Sequence, residues 1–368
     1  MNKITTLVVA STLVLVSALL TSLSATESFG AWRSAGKAVV SERLASMQLP
    51  MHYDVDEGLL RRIHNYTVLG RNETEAMLGR TAMFRAIFEA QLQEEGLPEI
   101  LSFLPVIESG MNAGIYSPAG AAGLWQLMPQ TARIHGLTVN PLLDERLDVY
   151  KSTAAAVKML SGLYEQFGDW GLVLIAYNSG PAKVTSAVRA AGTRDYARLS
   201  RYLPAETRVY VPAFVAAAYV CRYYTNHQLI PRYPVFSREG FRSVRIHEQL
   251  SFAEVARVTK LPLASIARLN PSFKQHHIPR SETGHLLILP ASSTARLRET
   301  LGTKEEENGK YFQTTYVVSG RETLRSVADL FKVKVEDLVR WNGLRNAKVV
   351  VNQELQLFLS RKALLDKV

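Results

Sequence analysis

Glu108 closes an apolar run containing Leu101, Phe103, Leu104, Val106 and Ile107, and Ser109-Gly110 follow it directly. A carboxyl group held among such side chains is harder to ionise than one in water, because burial penalises its charged form. It can keep its proton near neutral pH and so serve as an acid. Two clusters downstream, Gly123-Leu124-Trp125-Gln126-Leu127-Met128 and Ala176-Tyr177-Asn178-Ser179-Gly180, supply amide and phenol groups. Gln126, Asn178 and the Tyr177 hydroxyl are suitable donors for orienting a polar substrate or spreading a developing charge. A lone Glu would ordinarily cap a helix or pair with Arg, and a lone Tyr on a helical face would ordinarily be core. The neighbouring clusters turn both towards function. Gly120 and Gly123 permit a tight loop, compatible with placing Gln126 in a site. The eight His residues, His276-His277 included, show no metal-ligand spacing and read as solvated loop positions. No metal or cofactor is expected.

The elements that must position these groups are helical. From about Asp54 to His227 apolar residues recur every three or four positions, and Leu147, Tyr150, Ala154, Val157, Leu160, Tyr164 and Phe167 make one such face. Gly96, Gly136, Gly168 and Gly192 follow periodic runs, while Pro98, Pro129 and Pro181 stand where helices can begin. An all-α domain over 97–228, preceded by a helical extension over 26–96, is the simplest reading. After His227 the texture changes, and Leu229 to Gly240, rich in Pro, Arg and aromatic residues, suits an extended connection.

Over 315–360 the pattern predicts a βααβ module: a strand at Tyr316-Val317-Val318, helices over Thr323 to Phe331 and Val335 to Asn342, and a strand at Leu355 to Phe358. A weaker copy over 241–290 places helices at Phe252 to Val258 and Ala264 to Leu269 and a last strand at Leu286 to Leu289. Asn270 and Asn342 follow the second helix of each copy. Between the copies, 291–312 is charged and polar, with Lys304-Glu305-Glu306-Glu307, and reads as a linker. The expected fold class is therefore α+β, an all-α domain followed by small βααβ modules.

Met1-Asn2-Lys3, an apolar run from Ile4 to Leu20 and small residues near Ser24 and Ala25 read as a cleaved secretory signal over 1–25. Uncleaved, the same segment would anchor the chain and give membrane association. No Cys follows it, so a lipid-bearing N-terminal Cys is not expected, and the lone Cys221 cannot form an internal disulfide. The formal net charge of +10 admits nucleic acid, an anionic membrane or an acidic envelope polymer as partner. Export and the dispersed Lys and Arg weigh against nucleic acid. A merely solvated basic surface explains the charge equally well.

The helical region resembles the lytic transglycosylases with the goose-type lysozyme fold, in particular their membrane-bound type D branch. The resemblance covers roughly Leu97 to Tyr224. It rests on Glu108-Ser109, Ser117-Pro118-Ala119-Gly120-Ala121, Gly123 to Gln126, Ala176 to Asn178, and Glu206-Thr207-Arg208-Val209-Tyr210-Val211, all in family order. The last βααβ module resembles the LysM fold, which binds N-acetylglucosamine polymers such as peptidoglycan and chitin. The resemblance implies that Glu108 is both acid and base. It implies that Ser109, Ser117, Gln126, Tyr177, Asn178, Glu206 and Tyr210 line the substrate cleft, with Gln126 bonding a sugar acetamido group or a backbone and Tyr210 near Glu108. For Glu206 a helix-start position favourable to the macrodipole is an equally good explanation. Trp125 stands where many relatives carry Met, a departure that bears on sugar stacking. The implied partner is peptidoglycan in the periplasm or cell envelope.

Ordinary glycosidases place two carboxylates across the scissile bond. Here no Asp or Glu occurs between Glu108 and Asp144. One acid suffices if the substrate supplies its own nucleophile, as the C6 hydroxyl of N-acetylmuramic acid can, closing a 1,6-anhydro ring. A hydrolytic muramidase on the same fold would need a water-activating carboxylate, for which Asp144 and Asp148 are the nearest candidates. A noncatalytic peptidoglycan-binding protein is the third reading, and intact Glu108, Gln126, Tyr177 and Asn178 speak against it.

Overall fold

The computed structural model describes residues 36–233, 241–305, 311–318, 322–331, 333–342, 344, 348–351 and 353–360. The expected leader lies outside these residues. Among the described residues no helix is long and apolar enough to cross a membrane.

Residues 36 to about 230 fold around one apolar core. Helix α1 (residues 36–46) is followed by α2 (Glu57–His64), a π-helical turn (Asn65–Leu69) and the long α3 (Arg71–Glu94). Next come a 3-10 turn (Glu99–Phe103), the short α4 (Leu104–Ser109), α5 (Pro129–Ile134) and α6 (Val149–Phe167). Helices α7 (Trp170–Ser179), α8 (Pro181–Ala191), α9 (Tyr196–Leu199), α10 (Ala205–Arg208) and α11 (Tyr210–Tyr223) complete the unit. Its boundaries follow from side chains. Asp56, Asp148 and Asp169 cap the starts of α2, α6 and α7 by accepting backbone N–H groups, and Gly110, Gly168 and Gly192 end α4, α6 and α8 in the left-handed region.

Helices α7 and α11 are apolar on nearly every side and lie at the centre, with Leu172 to Ala176 and Phe214 to Val220 buried. Helix α11 packs against α2, α4 and α7, so the helix that carries Glu108 rests on the most deeply buried part of the fold. The segment after α11 returns along α3, where Arg232 N donates to Glu75 O at 2.8 Å. Gly79 allows this approach, since a Cβ there would sit 2.0 Å from Arg232 O.

The expectation of an all-helical domain holds except between α4 and α6. There the chain makes isolated antiparallel bridges, Tyr116 with Ala122 and Ala122 with Leu127. Gly123 sits at the tightest point with φ +81°, and a Cβ on it would lie 1.9 Å from Arg146 O.

The first small module comprises β1 (Phe241–Ile246), β2 (Leu250–Ser251), α12 (Phe252–Thr259), α13 (Leu263–Leu269), β3 (His277–Ile278) and β4 (His285–Pro290). Strands β1 and β4 pair antiparallel from Phe241–Pro290 to Ile246–His285. Asn270 is buried and ties α13 to β4: its amide donates to Ile288 O at 2.8 Å and accepts from Ile288 N at 2.7 Å. The stretch from Ala291 to Glu305 is not a linker but helix α14, packed on α12, β1 and β4. Among its described side chains the buried ones are Ser293, Thr294, Leu297 and Arg298, of which Leu297 is the apolar one, so these packed positions do not read as a hydrophobic period.

The second module pairs β5 (Tyr311–Val317) with β6 (Glu354–Ser360) around α15 (Leu324–Phe331) and α16 (Val335–Trp341). Trp341 packs on the module's core. The modules touch: the Arg298 guanidinium lies 4.9 Å from the Tyr316 ring centre and 4.4 Å from that of Phe331, and Arg242 pairs with Glu322 at 2.8 Å.

Gly123→Ala must either displace the Arg146 carbonyl or unfold the loop. A loss of at least about 2 kcal/mol is expected from the left-handed conformation and the clash together, read as a lower urea midpoint with an unchanged slope. An unchanged midpoint would contradict this packing.

Candidate active site

Helix α4 is too short to hold a side chain rigidly by itself, and three contacts immobilise its end. Arg80, on α3, donates from Nε and Nη2 to Gly110 O at 3.0 and 2.9 Å. Ser109 is buried, and its hydroxyl lies 3.0 Å from Pro105 O and 2.9 Å from Leu124 O, joining the helix to the following loop. The side chain of Glu108 is half-buried, and Tyr210, at the start of α11, donates its hydroxyl hydrogen bond to Glu108 Oε1.

Burial pushes the Glu108 carboxyl up to about 7, against the opposing effect of the Tyr210 hydrogen bond. Burial and the neighbouring Glu108 charge hold the phenols of Tyr177 and Tyr210 well above their ordinary range, so both stay protonated. Around neutral pH Glu108 thus exchanges between acid and carboxylate while its phenol partner remains a donor.

Residues separated in sequence by up to about a hundred positions meet here. Tyr177, in the last turn of α7, donates to Trp125 O at 2.7 Å, fastening the helix to the loop that carries Gln126. Its single proton is therefore committed to the backbone, which corrects the expectation that this hydroxyl is a donor to substrate; its oxygen can still accept. The Gln126 amide N–H group donates to Gly123 O at 2.8 Å and points towards Ile115 O at 3.5 Å. Of the two alternatives expected for Gln126, the bond to a backbone is present, and Gln126 itself sits in the left-handed region at φ 47°. Asn178 is exposed at the end of α7, before Gly180 turns the chain.

Ser117 organises a turn: its hydroxyl accepts from Ala121 N at 3.0 Å and its carbonyl accepts from Gly120 N at 2.9 Å. The backbone of Glu206 lies in α10, just ahead of Tyr210, and its side chain lies outside the described residues. Trp125 is wholly buried, donates from Nε1 to Thr153 Oγ1 at 2.9 Å and meets Phe88 edge-on, so it is a core residue and offers no face to a sugar.

The carboxylates that would serve a hydrolase are committed elsewhere. Asp144 is buried and binds Arg146 through both oxygens, at 2.9 and 2.8 Å, and also accepts from the Tyr116 hydroxyl at 2.9 Å. Burial pushes it up, but the hydrogen bonds from Arg146 and Tyr116 outweigh that and hold it below the ordinary carboxylate range. Asp148 caps α6, accepting from Tyr150 N at 2.9 Å and Lys151 N at 3.0 Å.

Sequence reading missed Arg80 and Arg146. Arg146 is 4% exposed, and its Nη1 donates to Gly120 O at 2.7 Å and Leu127 O at 3.1 Å, pinning both arms of the loop around Gln126. The acids two residues to either side of it in Asp144-Glu145-Arg146-Leu147-Asp148 were visible, but nothing local tells a buried Arg from a solvated one.

Residues 85–200 match the Transglycosylase SLT domain, 240–306 the LysM-like domain of lytic transglycosylase MltD, and 316–358 the LysM domain. The chain is 30% identical over 281 residues to the membrane-bound lytic murein transglycosylase D of Escherichia coli strain K12, covering 73% of this chain and 61% of that relative. It thus spans less than two thirds of the relative's length. A soluble lytic murein transglycosylase of the same strain is 32% identical over 124 residues, which is 32% of this chain and 19% of that protein. Among solved structures, the 70 kDa soluble lytic transglycosylase of Escherichia coli is 27% identical, with 39% of this chain and 25% of that one covered at a TM-score of 0.34. With matches to an SLT domain, an MltD-type LysM-like domain and a LysM domain in that order, the chain is similar to the MltD-like lytic transglycosylases in domain order as well as in sequence.

Proposed function

We propose that this chain cleaves the β-1,4 bond between N-acetylmuramic acid and N-acetylglucosamine in peptidoglycan without consuming water. The observation that carries the reading is Glu108: half-buried, pushed up to about 7, held by Tyr210, with Asp144 and Asp148 bound into the scaffold. In the first step the Glu108 carboxyl gives its proton to the glycosidic oxygen as the bond from C1 to that oxygen breaks. The Glu108 carboxylate then takes the proton of the muramic acid C6 hydroxyl as its oxygen bonds to C1, closing the 1,6-anhydro ring and restoring the acid. The nucleophile is part of the substrate, so its attack is intramolecular and benefits from proximity.

Under this reading Glu108 is the catalytic residue. Asn178 and the Gln126 amide oxygen orient the acetamido group, Tyr177 and Tyr210 line the cleavage point, and Glu206 completes the cleft. Ser109 and Ser117 act by shaping the helix end and loop, since their hydroxyls engage the backbone. The LysM domain holds the chain on the glycan, raising the local concentration of cleavable bonds without adding contacts at the acid. The setting is the cell envelope, and a membrane attachment would come from the leader segment.

Glu108→Gln keeps an oxygen to accept from Tyr210 but removes the transferable proton. Turnover of purified glycan strands is expected to fall by about 10²- to 10⁴-fold, the range typical of general acid–base groups. Unchanged release of muropeptides would eliminate Glu108 as the acid.

The pH profile carries a second expectation. The acid form is needed first, so kcat/KM should decline as pH rises through about 7. The Tyr210 hydrogen bond favours the carboxylate, so Tyr210→Phe should move that alkaline limb to higher pH while lowering the maximal rate. A limb that stays in place or moves down would contradict the assigned pairing.

A further inference from the structure

The first LysM-like module is built into the catalytic domain. Its segment 272–274 runs antiparallel to 142–144: Asp144 N donates to Ser272 O at 2.9 Å, Lys274 N donates to Leu142 O at 3.0 Å, and Leu143 faces Phe273 across the bridge. Leu143, from the catalytic domain, is buried in the core of the module with Phe252, Phe273 and Leu287.

A chain of polar contacts leads from this junction to the loop around Gln126. Lys274 Nζ donates to the Tyr116 hydroxyl oxygen at 2.6 Å, and the ammonium lies 4.5 Å from the Tyr116 ring centre. Tyr116 donates to Asp144 Oδ2 at 2.9 Å, Asp144 receives Nε and Nη2 of Arg146, and Arg146 Nη1 reaches Gly120 O and Leu127 O. An ammonium bonded to a phenol oxygen polarises the O–H bond and strengthens the phenol's own donation. Lys274 thereby acts on the orientation of Asp144, and Asp144 on that of Arg146. The Arg146 carbonyl also packs on Gly123, so the guanidinium and the backbone of one residue shape both ends of the Gly123 to Leu127 turn.

We propose that the LysM-like module is a working part of the active site, and that Lys274 is a positioning residue which, through Tyr116, Asp144 and Arg146, holds the loop carrying Gln126. The module's contribution to cleavage is then distinct from glycan capture. This rests on the function proposed above insofar as it concerns turnover; the bracing of the loop does not depend on it.

The test compares Lys274→Met and Lys274→Arg in the full chain. Two quantities are read: amide hydrogen exchange over 116–127, and kcat and KM on short soluble glycan strands. Lys274→Met should speed exchange across 120–127 and lower kcat about tenfold, the scale of one charge-assisted hydrogen bond, with KM nearly unchanged. Lys274→Arg, which restores a cationic donor, should recover most of both. Adding Tyr116→Phe to Lys274→Met should cost less than the product of the separate effects, because both break one chain. Unchanged exchange in the loop, or faster exchange with unchanged kcat, would overturn the proposal. A wild-type chain inert on all glycan would instead remove the functional reading, and the exchange data would still decide whether the module braces the loop.

Discussion

A carboxyl group kept partly out of water is the constraint on which the rest depends. In solvent Glu108 would be ionised at neutral pH and unable to donate a proton; burial at the apolar end of α4 moves its ionisation up to about 7, against the opposing pull of the Tyr210 hydrogen bond. The fold provides that environment with its most deeply buried helices. Helices α7 and α11 bring Tyr177 and Tyr210 to α4 from the core side, and Arg80 and Ser109 fasten the end of α4 to α3 and to the following loop. Glu108 is thus positioned by elements whose packing would have to yield before the carboxyl could turn into solvent.

The loop tied to Ser109 and Tyr177 is held differently. It has few apolar anchors other than Leu124, Trp125 and Leu127, and its path is set by hydrogen bonds from buried charge. Arg146 spends its donors on Asp144 and on two loop carbonyls, and Gly123 allows the chain to close over the Arg146 backbone. A buried ion pair of this kind specifies one geometry at a desolvation cost. The same cost explains why Asp144 belongs to the scaffold: a carboxylate holding a guanidinium with both oxygens has little basicity left for activating water.

Much of this was legible in the residue order. The helical domain, the two βααβ modules and the clusters at Glu108, Gln126, Tyr177 and Tyr210 are local patterns, and apolar period, helix-ending Gly and contiguous motifs report on local structure. What stayed hidden depends on contacts between distant segments. Arg80, Arg146 and Lys274 look like any surface cation until the fold places carbonyls and a phenol beside them. Helix α14 read as a linker because most of its buried positions among the described residues are Ser, Thr and Arg, and the Arg298 charge is accommodated by aromatic rings of the next module. Trp125, beside a polar motif residue, is core because distant segments supply Thr153 for its indole N–H and Phe88 for its ring.

The central claim is that a single protonated carboxyl works with a nucleophile supplied by the sugar. Cleavage of purified glycan strands in ¹⁸O-labelled water, followed by mass spectrometry of the new muramic acid ends, tests it most directly. Lone-acid chemistry predicts anhydro ends carrying no label from the solvent. Reducing ends with one labelled oxygen would mean that water attacks C1 and that a second base operates in the site.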